Sequence, residues 1–153
     1  MSYYQNLTPQ QKLLQARLIS QSQEHYEKTG EVKARPKVSE KPSPRSSHVK
    51  KFEDKYGFKI TETAKVKKLF PDTDVDKILA KGKGAYMTSG SRPNQTPDSW
   101  ANARLASVLT GGKALKVDKD LVGARSLAKI REWKVFLTDL LPETFWDSRL
   151  FLL

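Results

Sequence analysis

Residues 81–113, KGKGAYMTSGSRPNQTPDSWANARLASVLTGGK, decide how this chain is read. They hold two glycine-rich basic turns, a polar loop and one short helix. Thr96-Pro97-Asp98 starts that helix. The threonine hydroxyl accepts from a free first-turn amide, and proline suits the first turn, where its missing N–H is not needed. Trp100, Ala103, Ser107 and Val108 follow at helical spacing with Arg104 beside them, and Gly111-Gly112 stop the run after about Leu109. Trp100 reads as a core anchor. The loop before the helix is rich in hydrogen-bonding side chains and poor in catalytic ones. The stretch therefore points to binding or assembly rather than to bond-breaking chemistry.

Working outward, Asp72 or Asp74 caps a helix with Val75, Ile78 and Leu79 on its apolar face and Gly82 past its end. Thr61 or Thr63 caps a shorter one carrying Ala64, Val66, Leu69 and Phe70, broken by Pro71. Phe52, Tyr56 and Phe58 surround Gly57, a helix stop. These pieces make residues 51–123 the globular module. Residues 31–50 read as a linker: Pro36, Pro42 and Pro44 forbid regular structure, and Lys33, Arg35, Lys37, Lys41, Arg45 and Lys50 make it basic. It is either a solvated tether or an arm along the negative surface of another molecule. The second is the expectation.

Residues 1–30 carry one helix. Thr8 caps it, Pro9 opens it, Gln11 completes a capping box and Gly30 stops it after about Lys28. Its apolar stripe is thin, with Leu14 sharing a face with Leu7 and Leu18. Residues 124–141 form a long amphipathic helix: Leu127, Ile130, Trp133, Phe136, Leu137, Leu140 and Leu141 recur at three- and four-residue spacing until Pro142. The tail that follows carries Phe145, Trp146, Leu150, Phe151, Leu152 and Leu153. Exposed, these would invite aggregation, so the 124–153 segment is expected to dock on a partner. The fold class is mainly α: a small globular helical module with an extended N-terminal arm and a C-terminal helix plus apolar tail. Only GAYMTS and FKITET suggest short strands.

Composition narrows the partner. Of 153 residues, 28 are Lys or Arg and 17 Asp or Glu, a net charge of +11. The excess is +5 over residues 1–57, +5 over 58–123 and only +1 over 124–153. Such a balance favours nucleic acid, an anionic surface or an acidic protein as partner. There is no cysteine, which removes disulfides and thiolate metal sites. The N-terminus lacks the apolar core of a signal peptide, and no run reaches the roughly 20 apolar residues of a membrane span. The reading is a soluble chain made in the cytoplasm.

Catalysis is not expected. Gly111-Gly112-Lys113 fails as a phosphate loop, since Ser107 stands where a glycine is required and Ala114 where Ser or Thr is. Gly82-Lys83-Gly84 lacks the third glycine of a dinucleotide fingerprint, with Met87 in its place. Asp72, Asp74 and Asp76 begin like a calcium loop, but Lys77 and Lys83 occupy the glycine and closing glutamate positions. His25 and His48 have no neighbour at metal-ligand spacing. No cofactor or metal is expected. The glycine amides with Lys81, Lys83 and Lys113 are candidates for anion binding. Arg92 and Arg104 suit bidentate pairing with carboxylate or phosphate, with internal pairing to Asp98 or Asp118 as the plainer reading for both.

The 81–113 stretch resembles a motif, G-x-G-A-Y-x-S-G-S-R-P-N-Q-T-P-x-S-W-x-x-A-R-L-A-S with a following G-G-K turn, in a family of short uncharacterised proteins of large DNA viruses and tailed phages. Gly82, Gly84, Ala85, Tyr86, Ser89 to Pro97, Ser99, Trp100, Ala103, Arg104, Leu105 and Gly111 to Lys113 fit it. The likeness covers about residues 50–123. It implies a viral setting, made in the host cytoplasm and carried in the virion. The expected role is a non-enzymatic minor capsid or cement protein that binds larger capsid or virion proteins. Tyr86, Arg92, Trp100 and Arg104 would fix orientation, and Phe145, Trp146, Phe151 and Leu153 would dock. The alternatives are a viral nucleic-acid-binding or genome-packaging protein, touching nucleic acid through residues 31–50, and an enzyme on a phosphorylated substrate with its anion site at 111–113.

Overall fold

Two helices that touch at a glycine form the centre of the structure. A computed structural model describes the backbone of residues 3–140 and the side chains of residues 3–132. In chain order these are α1 (Pro9–Thr29), α2 (Ser47–Tyr56), α3 (Thr63–Leu69), α4 (Val75–Thr88), α5 (Pro97–Leu109), α6 (Lys113–Val117), a 3-10 turn at Lys119–Leu121, and α7 (Ala124–Leu140). No strand occurs among the described residues, so the fold is mainly α as expected. GAYMTS and FKITET do not form strands; the first lies largely in α4.

Asp74, one of the two caps foreseen, starts α4: its Oδ1 accepts from the Lys77 amide at 3.1 Å. The helix then runs through Gly82 and Gly84 to Thr88 instead of stopping at Gly82. A Cβ on Gly82 would stand 2.6 Å from Ala101 Cα of α5, so that glycine serves a helix crossing, not a cap. α5 starts with the capping box that Thr96-Pro97 announces, with Ser99 as its second member. α3 differs: its N-cap is Glu62, between the two threonines expected.

α2 packs against α5 and brings the aromatic cluster. Phe52 lies 4.9 Å from Tyr56 and 5.4 Å from Phe58, and Tyr56 packs edge-on against Phe70 at 5.3 Å. Such pairs favour tilted and edge-to-face geometry. Phe52, Val66, Phe70, Ile78, Val108 and Leu109 are wholly buried there. Burial without an ionic partner pushes the Tyr56 phenol well above its ordinary value.

The core does not end at residue 123. Ile130 of α7 is buried in it and Leu127 packs against it. Asp72, the other candidate cap for α4, instead caps α7 from across the fold. Its carboxylate accepts from the amides of Arg125 (2.9 Å) and Ser126 (3.2 Å) and from the Ser126 hydroxyl. These bonds, the Ser126 hydroxyl first, hold Asp72 below its usual range. Gly123 makes this possible, since a Cβ there would fall 2.2 Å from Asp72 Oδ2.

α1 keeps its expected caps, Thr8 and Gln11 at one end and Gly30 at the other. Its inward face is not the expected one. Gln15 and Ile19 are buried, whereas Leu13 is 71% and Leu14 40% exposed. Ile19 packs over Gly90, and the Gln15 amide donates to the Ser91 carbonyl at 3.2 Å.

Candidate functional site

The polar loop between α4 and α5 grips the chain's own arm. Of residues 31–50, expected on another molecule, 31–46 lie along this loop as an extended strap, while 47–50 are already helical as the first turn of α2. Arg35 is the first anchor. Its amide donates to the Tyr86 hydroxyl (2.9 Å), and its guanidinium donates to the Tyr86 carbonyl (2.9 Å), Ser22 (3.0 Å) and Ser91 (2.8 Å). The guanidinium carbon also sits 3.7 Å from the centre of the Tyr86 ring, a cation–π contact. Burial lowers the Arg35 pKa, and Tyr86 and Tyr3 partly offset this.

Asn94 is the second anchor. It adopts the left-handed backbone, φ 62°, a region Asn enters more readily than most residues. Its amide oxygen accepts from the Val38 amide at 2.9 Å. Its amide nitrogen donates to the Ser39 hydroxyl and the Lys41 carbonyl, both at 2.9 Å. Gln95 and the Pro93 carbonyl hold the Ser43 hydroxyl, and Val38 is buried beneath. The strap ends at Ser46, which caps α2.

The residues read as partner contacts divide. Tyr86 is wholly buried, its hydroxyl donating to the Gln95 carbonyl at 3.0 Å, so it binds this chain's own arm. Arg104 makes the internal pair: Nε and Nη2 reach the two Asp118 oxygens at 2.8 and 2.9 Å. Trp100 is half-buried, not fully inside as a core anchor would be. Arg92 lines a cleft between strap and loop. Phe145, Trp146, Phe151 and Leu153 lie outside the described residues.

The candidate anion set does not assemble. Lys81 reaches Asp118 at 3.4 Å and Lys83 reaches Asp98 at 3.3 Å. Lys113 is exposed at the start of α6. The Gly111 amide donates to the Val108 carbonyl and the Gly112 amide to that of Ser107, so neither is free for a phosphate. Asp118 is fully buried. Burial pushes its carboxyl up, but the hydrogen bonds and charges of Arg104 and Lys81 outweigh that and hold it low.

Among the described residues, two clefts carry cations. One, about 260 Å³, has an apolar floor of Leu115, Leu127 and Ile130 beneath Lys116, Lys119 and Arg131. The other, about 120 Å³, lies between the strap and residues 92–94 and includes Lys41 and Arg92. His25 pairs with Glu31 at 3.0 Å. His48 is half-buried, its ring near Gly112, and burial, then Lys51, then Arg92 push its pKa down. Among the described residues no group of three or more metal-ligating side chains gathers, and no helix is long and apolar enough to cross a membrane.

Sequence reading missed Arg35 and Val38 as anchors because they sat in a stretch read as linker. An arginine and a valine among prolines and lysines were the available signal. It also assigned Asp72 to the wrong helix, since its partners Arg125 and Ser126 lie some fifty positions away.

These features define an all-helical module whose polar loop is spent on fastening its own chain. The chain belongs to a family of unknown function, DUF5824, matched over residues 1–122. No curated protein matches it. No solved structure matches it either.

Proposed function

We propose that this chain is a non-enzymatic structural component of a viral particle, a minor capsid or cement protein that binds larger shell subunits. The setting comes from the likeness of residues 81–113 to proteins of large DNA viruses and tailed phages. The observation that carries the role is the use of the loop at 91–95. Apart from Arg92, which lines a cleft, its polar groups hold the strap and α1, which suits a part that must keep its shape at a contact. The strap is occupied within the chain, so docking falls to the tail, through Phe145, Trp146, Phe151 and Leu153, with Trp100 and the exposed Leu13 and Leu14 as further apolar surface.

The test is particle association. A chain lacking residues 142–153 should keep its helical spectrum and be lost from purified particles, while the full chain stays bound after nuclease and a high-salt wash. A truncated chain that stays bound as well as the full one would show docking by the tail to be wrong. A second reading, a nucleic-acid-binding or genome-packaging protein, is favoured by the clefts, which among the described residues are lined by cations and by no Asp or Glu. It predicts release of the full chain by nuclease alone and DNA affinity that falls steeply with salt.

A further inference from the structure

We propose that the cleft between the strap and the 92–94 loop binds a phosphate group, with Arg92 and Lys41 as its cationic ligands. This site stands apart from the particle reading and depends only on local geometry. The cleft offers about 120 Å³, and its polar lining includes Asn6, Ser39 and Ser43 beside the two cations. No Asp or Glu lines it.

Arg92 is the partly buried arginine that the fold leaves uncompensated. Arg104 has Asp118, Arg45 has Glu53, and Arg35 has two hydroxyls, a carbonyl and an aromatic face. Arg92 has no ion pair among the described residues, and its Nε is buried without a hydrogen-bond partner. A charge withdrawn from water is costly unless something of opposite sign meets it. Among the described residues nothing does. The surroundings raise the cost: Lys51 and Arg92 both disfavour a proton on neighbouring His48, the mark of positive potential. A bound anion relieves Arg92, and by offsetting the positive potential that Arg92 casts on His48 it favours a proton there. Two cations with no acid suit a phosphate group, which carries up to about two charges and several acceptor oxygens, better than a single carboxylate. The planar guanidinium matches two of those oxygens, and Lys41, exposed on the strap, adds a movable point charge.

The experiment titrates inorganic phosphate into the full chain at constant ionic strength. The His48 ring protons are followed by NMR from about pH 5 to 8, the range in which histidine titrates. Saturable binding is expected, with the His48 midpoint rising as the anion arrives. Arg92→Gln should weaken phosphate at least about tenfold, the scale of a lost charge-assisted hydrogen bond, and Lys41→Gln by less. An unmoved His48 midpoint, or equal binding by wild type and Arg92→Gln, overturns the proposal. Should Arg92→Gln fail to fold, Lys41→Gln decides: unchanged affinity overturns the site and weakened affinity supports it. A short DNA duplex is then offered in competition. Displacement of phosphate assigns the group to a nucleic-acid backbone, and its absence assigns it to a small phosphorylated molecule; either result supports the site.

Discussion

Alanine at Gly82 should destabilise this protein, while alanine two residues later, at Gly84, should stabilise it. Both lie inside α4, where alanine is favoured over glycine by about 0.8–1.0 kcal/mol. A Cβ at Gly84 meets nothing within 4 Å, so most of that gain is expected. A Cβ at Gly82 would stand 2.6 Å from Ala101 Cα and 3.1 Å from Ala101 Cβ. Carbon atoms rest at about 3.5–4.0 Å, so the helices must part by roughly an ångström. The obstructing atom is backbone, and no rotamer relieves it. Overpacking of a close-packed core costs about 1–3 kcal/mol, and a backbone clash at the principal helix crossing belongs in the upper half. After the propensity gain, Gly82→Ala should lose about 1–2 kcal/mol, leaving the two variants about 2–3 kcal/mol apart. Urea unfolding followed by far-ultraviolet circular dichroism separates them. With a slope of about 1–3 kcal/mol/M, the midpoints should differ by on the order of 1 M, with wild type between. Shifts in the same direction, or a Gly82→Ala midpoint at or above wild type, would refute close helix approach as the reason for this glycine.

Asn94→Ala should free the strap, losing its bonds to Val38, Ser39 and Lys41 and adding a left-handed penalty of about 1–2 kcal/mol. Trypsin should then cut after Lys37 faster than in wild type, with Asn94→Gly intermediate. Asp118→Asn should cost about 3 kcal/mol by leaving Arg104 and Lys81 without their carboxylate, and Arg104→Gln in the same chain should recover part of it, read as a double-mutant cycle by urea unfolding. His48 supplies a pH dependence: burial, Lys51 and Arg92 hold it below its ordinary value of about 6.5, so the unfolded chain takes up the proton first as pH falls. Stability is full above that value and declines below it, so urea midpoints in phosphate-free buffer should fall between about pH 7 and pH 5, and less so in His48→Gln.

Much of the helical plan could be read directly from residues. Thr8-Pro9 and Thr96-Pro97 start α1 and α5, Asp74 starts α4, and the 124–141 periodicity matches α7 as far as Leu140. Each is a local signal, carried within a few positions of the backbone groups it satisfies. Errors came where a residue type has two uses. Glycine at 82 reads as a stop but serves a crossing, because contact with Ala101 depends on a helix nineteen positions away. The face of α1 was misread because polar Gln15 is buried by a bond to Ser91, while Leu13 and Leu14 face outward.

The sequence by itself determined that the chain is helical, basic and free of cysteine, and which loop is rich in hydrogen-bonding groups, because caps, periodicity and charge are written within a few residues. Only the tertiary structure decided what that loop holds. Asn94 and Tyr86 meet Val38 and Arg35 across more than fifty positions. Such meetings depend on how α4 and α5 pack and where the chain turns after α1. The same packing paired Arg104 with Asp118 and left Arg92 without a counter-charge among the described residues, a difference that their identical side chains could not reveal.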